Sequence, residues 1–174
     1  LGEDVSVVAM RDRDDVRDVL VSTSGLTLGE LRKGAIIGTS SIRRAAQLKA
    51  IRSDLNIVPI RGNVGTRLEK MKNEGMDGII LEAAGLKRLG MEDIITQYLN
   101  PDIFVPAVSQ GALGIEILKN SEYKAIFENL DNKDVRCEVE AERSFMKALN
   151  GGCHALIGAN ARLHNDELYM IGAY

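Results

Sequence analysis

A chain of 174 residues with 45% hydrophobic and 27% charged residues is globular rather than disordered, and is long enough for one ordinary domain or two small ones. No apolar run approaches the roughly 18 residues of a membrane helix, and without Trp and with 4% aromatics the chain has few stacking platforms for single-stranded nucleic acid. The net charge of −3 is uneven: Arg32 to Arg88 holds 12 Lys and Arg against 5 Asp and Glu, and the remainder holds 10 against 20, which points to a local anionic ligand inside an acidic protein.

The chain opens on Leu1-Gly2-Glu3-Asp4, with no Met, basic region or apolar signal core, and is expected to come from the middle of a longer protein. Val5–Met10 reads as a strand, Arg11–Asp18 as a solvated, charged connection and Val19–Ser22 as a second strand. Leu28–Arg32 reads as a short helical turn ended by Gly34. A βα pattern then repeats: strands at Ala35–Thr39, Asn56–Ile60 and Gly78–Glu82, each followed by a helix, at Ser41–Arg52, Val64–Glu74 and Ala84–Leu89. Alternation of this length predicts a parallel sheet covered by helices. Met91–Leu99 reads as a further helix stopped by Asn100-Pro101, and Phe104–Val108 as extended. Gly114–Leu118 is a predicted strand and Glu122–Leu130 a helix. Asp134–Leu149 is a longer helix with Val135, Val139, Met146 and Leu149 on one stripe. Ala155–Leu163 and Leu168–Tyr174 read as a hairpin turning near His164-Asn165-Asp166; the second strand reaches the last residue, so the final domain is expected to continue beyond it.

The organising stretch is Gly38-Thr39-Ser40-Ser41-Ile42-Arg43-Arg44. Ser40 and Ser41 are N-cap candidates. Two arginines in the first turn oppose the positive end of the helix dipole, by a few tenths of a kcal/mol each. An anion at that place would reverse the penalty, with backbone N–H groups, hydroxyls and guanidinium forks converging on it; the alternative is a pair of solvated arginines. The next two βα loops also carry cations: Arg61-Gly62-Asn63-Val64-Gly65-Thr66-Arg67, then Ala84-Gly85-Leu86-Lys87-Arg88. In an open parallel sheet the carboxyl ends of the strands face one crevice, so five arginines and a lysine are expected on a single rim suited to carboxylates or phosphates.

With Pro106-Ala107-Val108-Ser109-Gln110-Gly111-Ala112 and Gly151-Gly152-Cys153, these motifs occur in an order that closely resembles the porphobilinogen deaminase (hydroxymethylbilane synthase) family, from Val7 to Tyr174. The resemblance implies an α/β fold: an open-sheet domain like type II periplasmic binding proteins, then part of a small α+β third domain. It places residues 1–15 and 106–130 in the remnant of domain 1 and its hinges, 16–105 in domain 2 and 131–174 in domain 3. It implies a cytoplasmic, monomeric transferase of tetrapyrrole (haem) biosynthesis, without nucleic-acid or membrane partners, that joins four porphobilinogen molecules and releases ammonia. A covalent dipyrromethane cofactor is implied as a thioether on Cys153, held by Thr39, Ser40, Ser41, Arg43, Arg44, Arg61 and Gly62. Arg67, Arg88 and Gln110 are the implied substrate contacts. The family's catalytic aspartate falls outside this chain, which on its own is expected to be inactive. Ser109 stands where the family usually has Gly, and Leu156 where it usually has Pro.

Cys137, the other cysteine, is read as structural, and two cysteines give no disulfide framework, in keeping with a reducing cytosol. His154 and His164 receive no role, and the two His and two Cys lack zinc-site spacing. The rival class is a non-catalytic module for small carboxylates, which would have no need of a thiol after Gly151-Gly152.

Overall fold

The computed structural model describes residues 4–150 and 156–174. Three sheets organise them. In the first, β1 (Val5–Met10) pairs antiparallel with β7 (Gly114–Leu118). The second has five strands: β2 (Asp18–Ser22), β3 (Ile36–Gly38), β4 (Asn56–Val58), β5 (Gly78–Glu82) and β6 (Gln97–Tyr98), in the order β4-β3-β5-β2-β6. The third is the hairpin of β8 (Gly158–His164) and β9 (Glu167–Ala173), which turns at Asn165 and Asp166, both with positive φ.

The five-stranded sheet is covered on both faces. Alternation in β2 and β5 sends Leu20 and Ile80 to one face, where they pack with Ile37, Leu48, Leu55 and Phe104. Val19, Val21, Ile79 and Leu81 go to the other face, against Met71, Met76 and Leu86. Leu48 comes from α1 (Ile42–Ile51), Met71 from α2 (Val64–Asn73) and Leu86 from α3 (Ala83–Arg88). α1 and α2 start where expected, because Ser41 accepts from the Arg44 N–H and Asn63 from the Thr66 N–H. This is the α/β open-sheet class expected, with α5 (Lys133–Ala148) and the β8–β9 hairpin following it as a smaller α+β unit.

Several expectations are corrected. The sheet is mixed: β3 is parallel to β4 and β5, but β2 runs antiparallel to both of its neighbours, β5 and β6. β2 is entered through the 11–17 connection rather than through a crossover helix, so nothing constrains it to be parallel. Met91–Leu99 is not a helix. After a 3-10 turn at Glu92–Ile94 the chain extends into β6, with Thr96 N–H donating to Leu20 O and Leu99 N–H to Asp18 O, both at 2.9 Å. The β-branched run Ile94-Ile95-Thr96 is a poor helix former, and the outer edge of β2 has backbone groups that require partners. The Glu122–Leu130 helix shortens to α4 (Lys124–Glu128).

The Arg11–Asp18 connection is not simply solvated either. The Arg13 guanidinium is buried against α5, at 2.8 Å from Glu142 and 3.3 Å from Glu138. Glu142 is fully buried and also accepts from the backbone N–H of Ser109 (2.6 Å) and Ala161 (2.8 Å). The buried stripe of α5 is therefore Val135, Val139 and Glu142; Met146 and Leu149, expected on it, are less buried. One carboxylate thus fastens the connection, the 107–112 turn and β8 to a single helix. Ser109 sits in that turn with φ 64°, a conformation that glycine adopts without steric cost; its hydroxyl accepts from Arg143 Nε at 3.3 Å. Glu142→Ala leaves two backbone donors buried without partners and the Arg13 charge with Glu138 as its remaining carboxylate. It is expected to cost about 3–5 kcal/mol of stability in urea unfolding, with Glu142→Gln costing less.

Candidate functional site

The β3–α1 junction carries the unusual electrostatics. Its turn is built from hydroxyls: Ser41 N–H donates to Thr39 Oγ1, and Ser40 Oγ both donates to Ile60 O and accepts from Ile60 N–H. Arg43 and Arg44 then turn inward. Both are buried, and both bind the fully buried carboxylate of Asp18, the first residue of β2. Arg43 Nη2 donates to Oδ2 at 2.7 Å, while Arg44 Nε and Nη2 donate to Oδ1 at 3.0 and 2.7 Å. Gln110 Nε2 supplies a further donor to Oδ1 at 2.9 Å. The remaining fork of Arg43 donates to Val105 O at 2.6 Å. Burial pushes the Arg43 guanidinium below its ordinary pKa, and the charge of Asp18 opposes that shift.

The anion demanded by two arginines in a first helical turn is thus the chain's own Asp18. The sequence contains the signal, since Asp18 immediately precedes the apolar run Val19-Leu20-Val21, but its place at the end of a charge cluster conceals it.

The five arginines consequently do not form one continuous rim. Arg43 lies beneath the surface, and Gln110 is buried beside it, donating to Val16 O and Asp18. Arg44 shows its outer side to a pocket of about 370 Å³ that it shares with Gly62, Asn63, Val64, Arg67, Leu81, Glu82, Gly85 and Leu89. There Arg67 Nε donates to Gly62 O at 2.7 Å. Gly62 has φ 124°, and a Cβ at that position would stand 2.8 Å from Thr66 Cγ2, so only glycine permits this turn. Thr39, Ser40, Ser41 and Arg61 line a neighbouring pocket of about 240 Å³ at the start of α1. Arg61 is exposed, and among the described residues its guanidinium makes no hydrogen bond or ion pair.

Arg88 is drawn elsewhere. It pairs with Asp14, and the adjacent Lys87 pairs with Asp15 at 3.0 Å. Asp15 also receives both forks of Arg17, which together with Lys87 hold its carboxyl well below the usual carboxylate range. The end of α3 is thereby clamped to the 11–17 connection, with the Arg17 guanidinium 4.0 Å from the Tyr98 ring centroid. A larger hollow of about 410 Å³ lies between that connection and β8, but its charged residues already have opposite charges as partners: Arg13 with Glu138, Arg17 with Asp15, Arg162 with Asp102. Cys153 lies outside the described residues; Cys137 is an exposed, free thiol on α5.

Two family models cover most of the chain: "Porphobilinogen deaminase, dipyromethane cofactor binding domain" over residues 1–126, and "Porphobilinogen deaminase, C-terminal domain" over residues 136–174. A porphobilinogen deaminase of Clostridium perfringens is 62% identical over 174 residues, and one of Clostridium beijerinckii is 60% identical. The match takes in 100% of this chain and 60% of each of those relatives, so the chain spans about three-fifths of their length. Among solved structures, a periplasmic binding protein of Salmonella typhimurium with high arginine specificity aligns at a TM-score of 0.44 and 15% identity, covering 83% of this chain and 64% of its own. The two family models and the two clostridial relatives lead to one conclusion: the chain belongs to the porphobilinogen deaminase family.

Proposed function

We propose that this chain is the anion-binding and cofactor-bearing part of an enzyme that joins four porphobilinogen molecules head to tail into hydroxymethylbilane, with release of ammonia at each joining. The observation that carries this reading is Arg61. It is a guanidinium without a partner among the described residues, in a pocket with Thr39, Ser40 and Ser41 at the start of α1. Arg67 lies in the adjoining pocket and has no carboxylate partner among those residues. Each pyrrole unit carries an acetate and a propionate, and forked guanidinium donors match such groups.

The donor set fits a dipyrromethane. Hydroxyls, helix N-terminal N–H groups and two arginines face a ligand that carries carboxylates on small apolar rings, and Val64, Leu81 and Leu89 give those rings apolar walls. Attached through a thioether to Cys153, the dipyrromethane supplies the pyrrole to which the first substrate is joined. The chain's own residues divide the work. Arg43 and Gln110 hold Asp18 and, with it, the β3–α1 turn. Arg61, Arg67 and the outer side of Arg44 bind carboxylates and orient the rings, and Gly62 lets the α2 N-terminus approach closely. Arg88 joins them only when it leaves Asp14. In this reading the enzyme works in the cytoplasm as a monomer, and the aspartate that stabilises the positive charge of the reacting pyrrole lies in the part of the family that this chain does not span.

Two outcomes are expected in the complete enzyme. Arg61→Ala or Arg67→Ala each removes a charged hydrogen bond of about 1.5–3 kcal/mol, slowing chain elongation or cofactor assembly about ten- to a hundredfold without lowering the melting temperature. Full activity in both variants contradicts the assignment. Cys153→Ser abolishes the covalent dipyrromethane while Cys137→Ser retains it, because a soft thiolate captures the methylene carbon and a hydroxyl does not. Intact mass reads both. The 174-residue chain by itself is expected to carry a free thiol at Cys153.

A further inference from the structure

Glu82 is a carboxylate in a pocket otherwise suited to anions. It ends β5 directly after four buried residues and stands opposite Asp18 in the β2–β5 register. Two carboxylates facing each other across a strand pair repel, and Arg44 bridges them unequally. Its Nη2 is 2.7 Å from Asp18 Oδ1 and 3.3 Å from Glu82 Oε1. Asp18 is fully buried; the Glu82 side chain is 52% exposed and lines the pocket that holds Arg67. The pocket therefore offers a guanidinium and a carboxylate together, against the apolar walls of Leu81 and Leu89.

A ligand that is only an anion meets Glu82 at a disadvantage. If it takes the outer side of Arg44, Glu82 loses its partner; if it does not, the two like charges repel. A ligand carrying an ammonium beside its carboxylates avoids both costs, since its cation takes over Glu82 as Arg44 and Arg67 take its carboxylates. Resting on the reading above that porphobilinogen is the substrate, we propose that Glu82 receives the aminomethyl ammonium of the incoming pyrrole and makes this pocket selective for the free monomer. Units already joined have lost that nitrogen, so the same carboxylate disfavours them. The site thereby favours an entering unit over the chain it extends.

The test is calorimetric titration of the 174-residue chain with porphobilinogen and with the same dicarboxylate pyrrole bearing methyl in place of aminomethyl. For a half-exposed charge pair the expected preference for the amine is about fivefold. Glu82→Gln is expected to erase that preference while the methyl compound binds at least as tightly as to the unaltered chain, which also shows that the variant is folded. Glu82→Asp keeps part of the preference. A preference undiminished in Glu82→Gln, or equal affinity for the two pyrroles in the unaltered chain, overturns the role of Glu82 and leaves the carboxylate pocket standing. Failure of the unaltered chain to bind either pyrrole overturns the pocket reading itself, and the inference with it.

Discussion

The carboxylate of Asp18, shared by two arginines inside the protein, is the constraint on which the rest of the structure depends. An ionised carboxylate without partners could not remain in that environment. It is stable there because Arg43, Arg44 and Gln110 together direct four hydrogen bonds at its two oxygens. Each donor comes from a different part of the chain from Asp18 itself, so one charge gathers β2, the first turn of α1 and the segment after Val105. The same logic recurs one layer away, where Glu142 accepts from Arg13, Ser109 and Ala161. Gln110 joins the two clusters, for its side chain reaches Asp18 while its backbone oxygen accepts from Arg13 Nε at 3.0 Å. The β3–α1 turn and α5 are thus held through a continuous set of buried polar contacts, and such networks specify one arrangement when every member is satisfied.

This internal pairing also sorts the arginines by partner. Those that meet an internal carboxylate become scaffold, as Arg13 and Arg43 do. Among the described residues Arg61 and Arg67 meet no carboxylate, and they stand near the N-termini of α1 and α2. Arg44 stands between the two groups, buried against Asp18 on one side and bordering the pocket with Glu82 on the other. Without Asp18, the charge of Arg43 and Arg44 would have to be balanced from outside, and ligand binding and folding would compete for the same groups.

Much of the fold was legible in the sequence because it rests on local signals. β1, β5 and β7 have the bounds that their apolar runs predict, and Ser41, one of two N-cap candidates, caps α1. What escaped depends on partners distant along the chain. The strand at Gln97–Tyr98 exists because β2 has an open edge, which no periodicity in residues 91–99 records. Glu142 interrupts an apolar stripe because Arg13 lies 129 residues away in sequence and needs an acceptor. The βα loops were legible as cationic, but residue type alone could not separate an arginine that meets Asp18 from one that meets solvent. The five ordered motifs carried the family, whereas the division of roles among their arginines required coordinates.

The most direct test is the stability of Asp18→Ala, measured by urea unfolding at pH 7 with and without added formate. Removing the charge leaves two guanidiniums buried side by side. The account predicts a loss of about 3–5 kcal/mol, partly restored by formate as a small carboxylate takes the vacated position between Arg43 and Arg44. An Asp18→Ala protein as stable as the unaltered chain, and indifferent to formate, would contradict it.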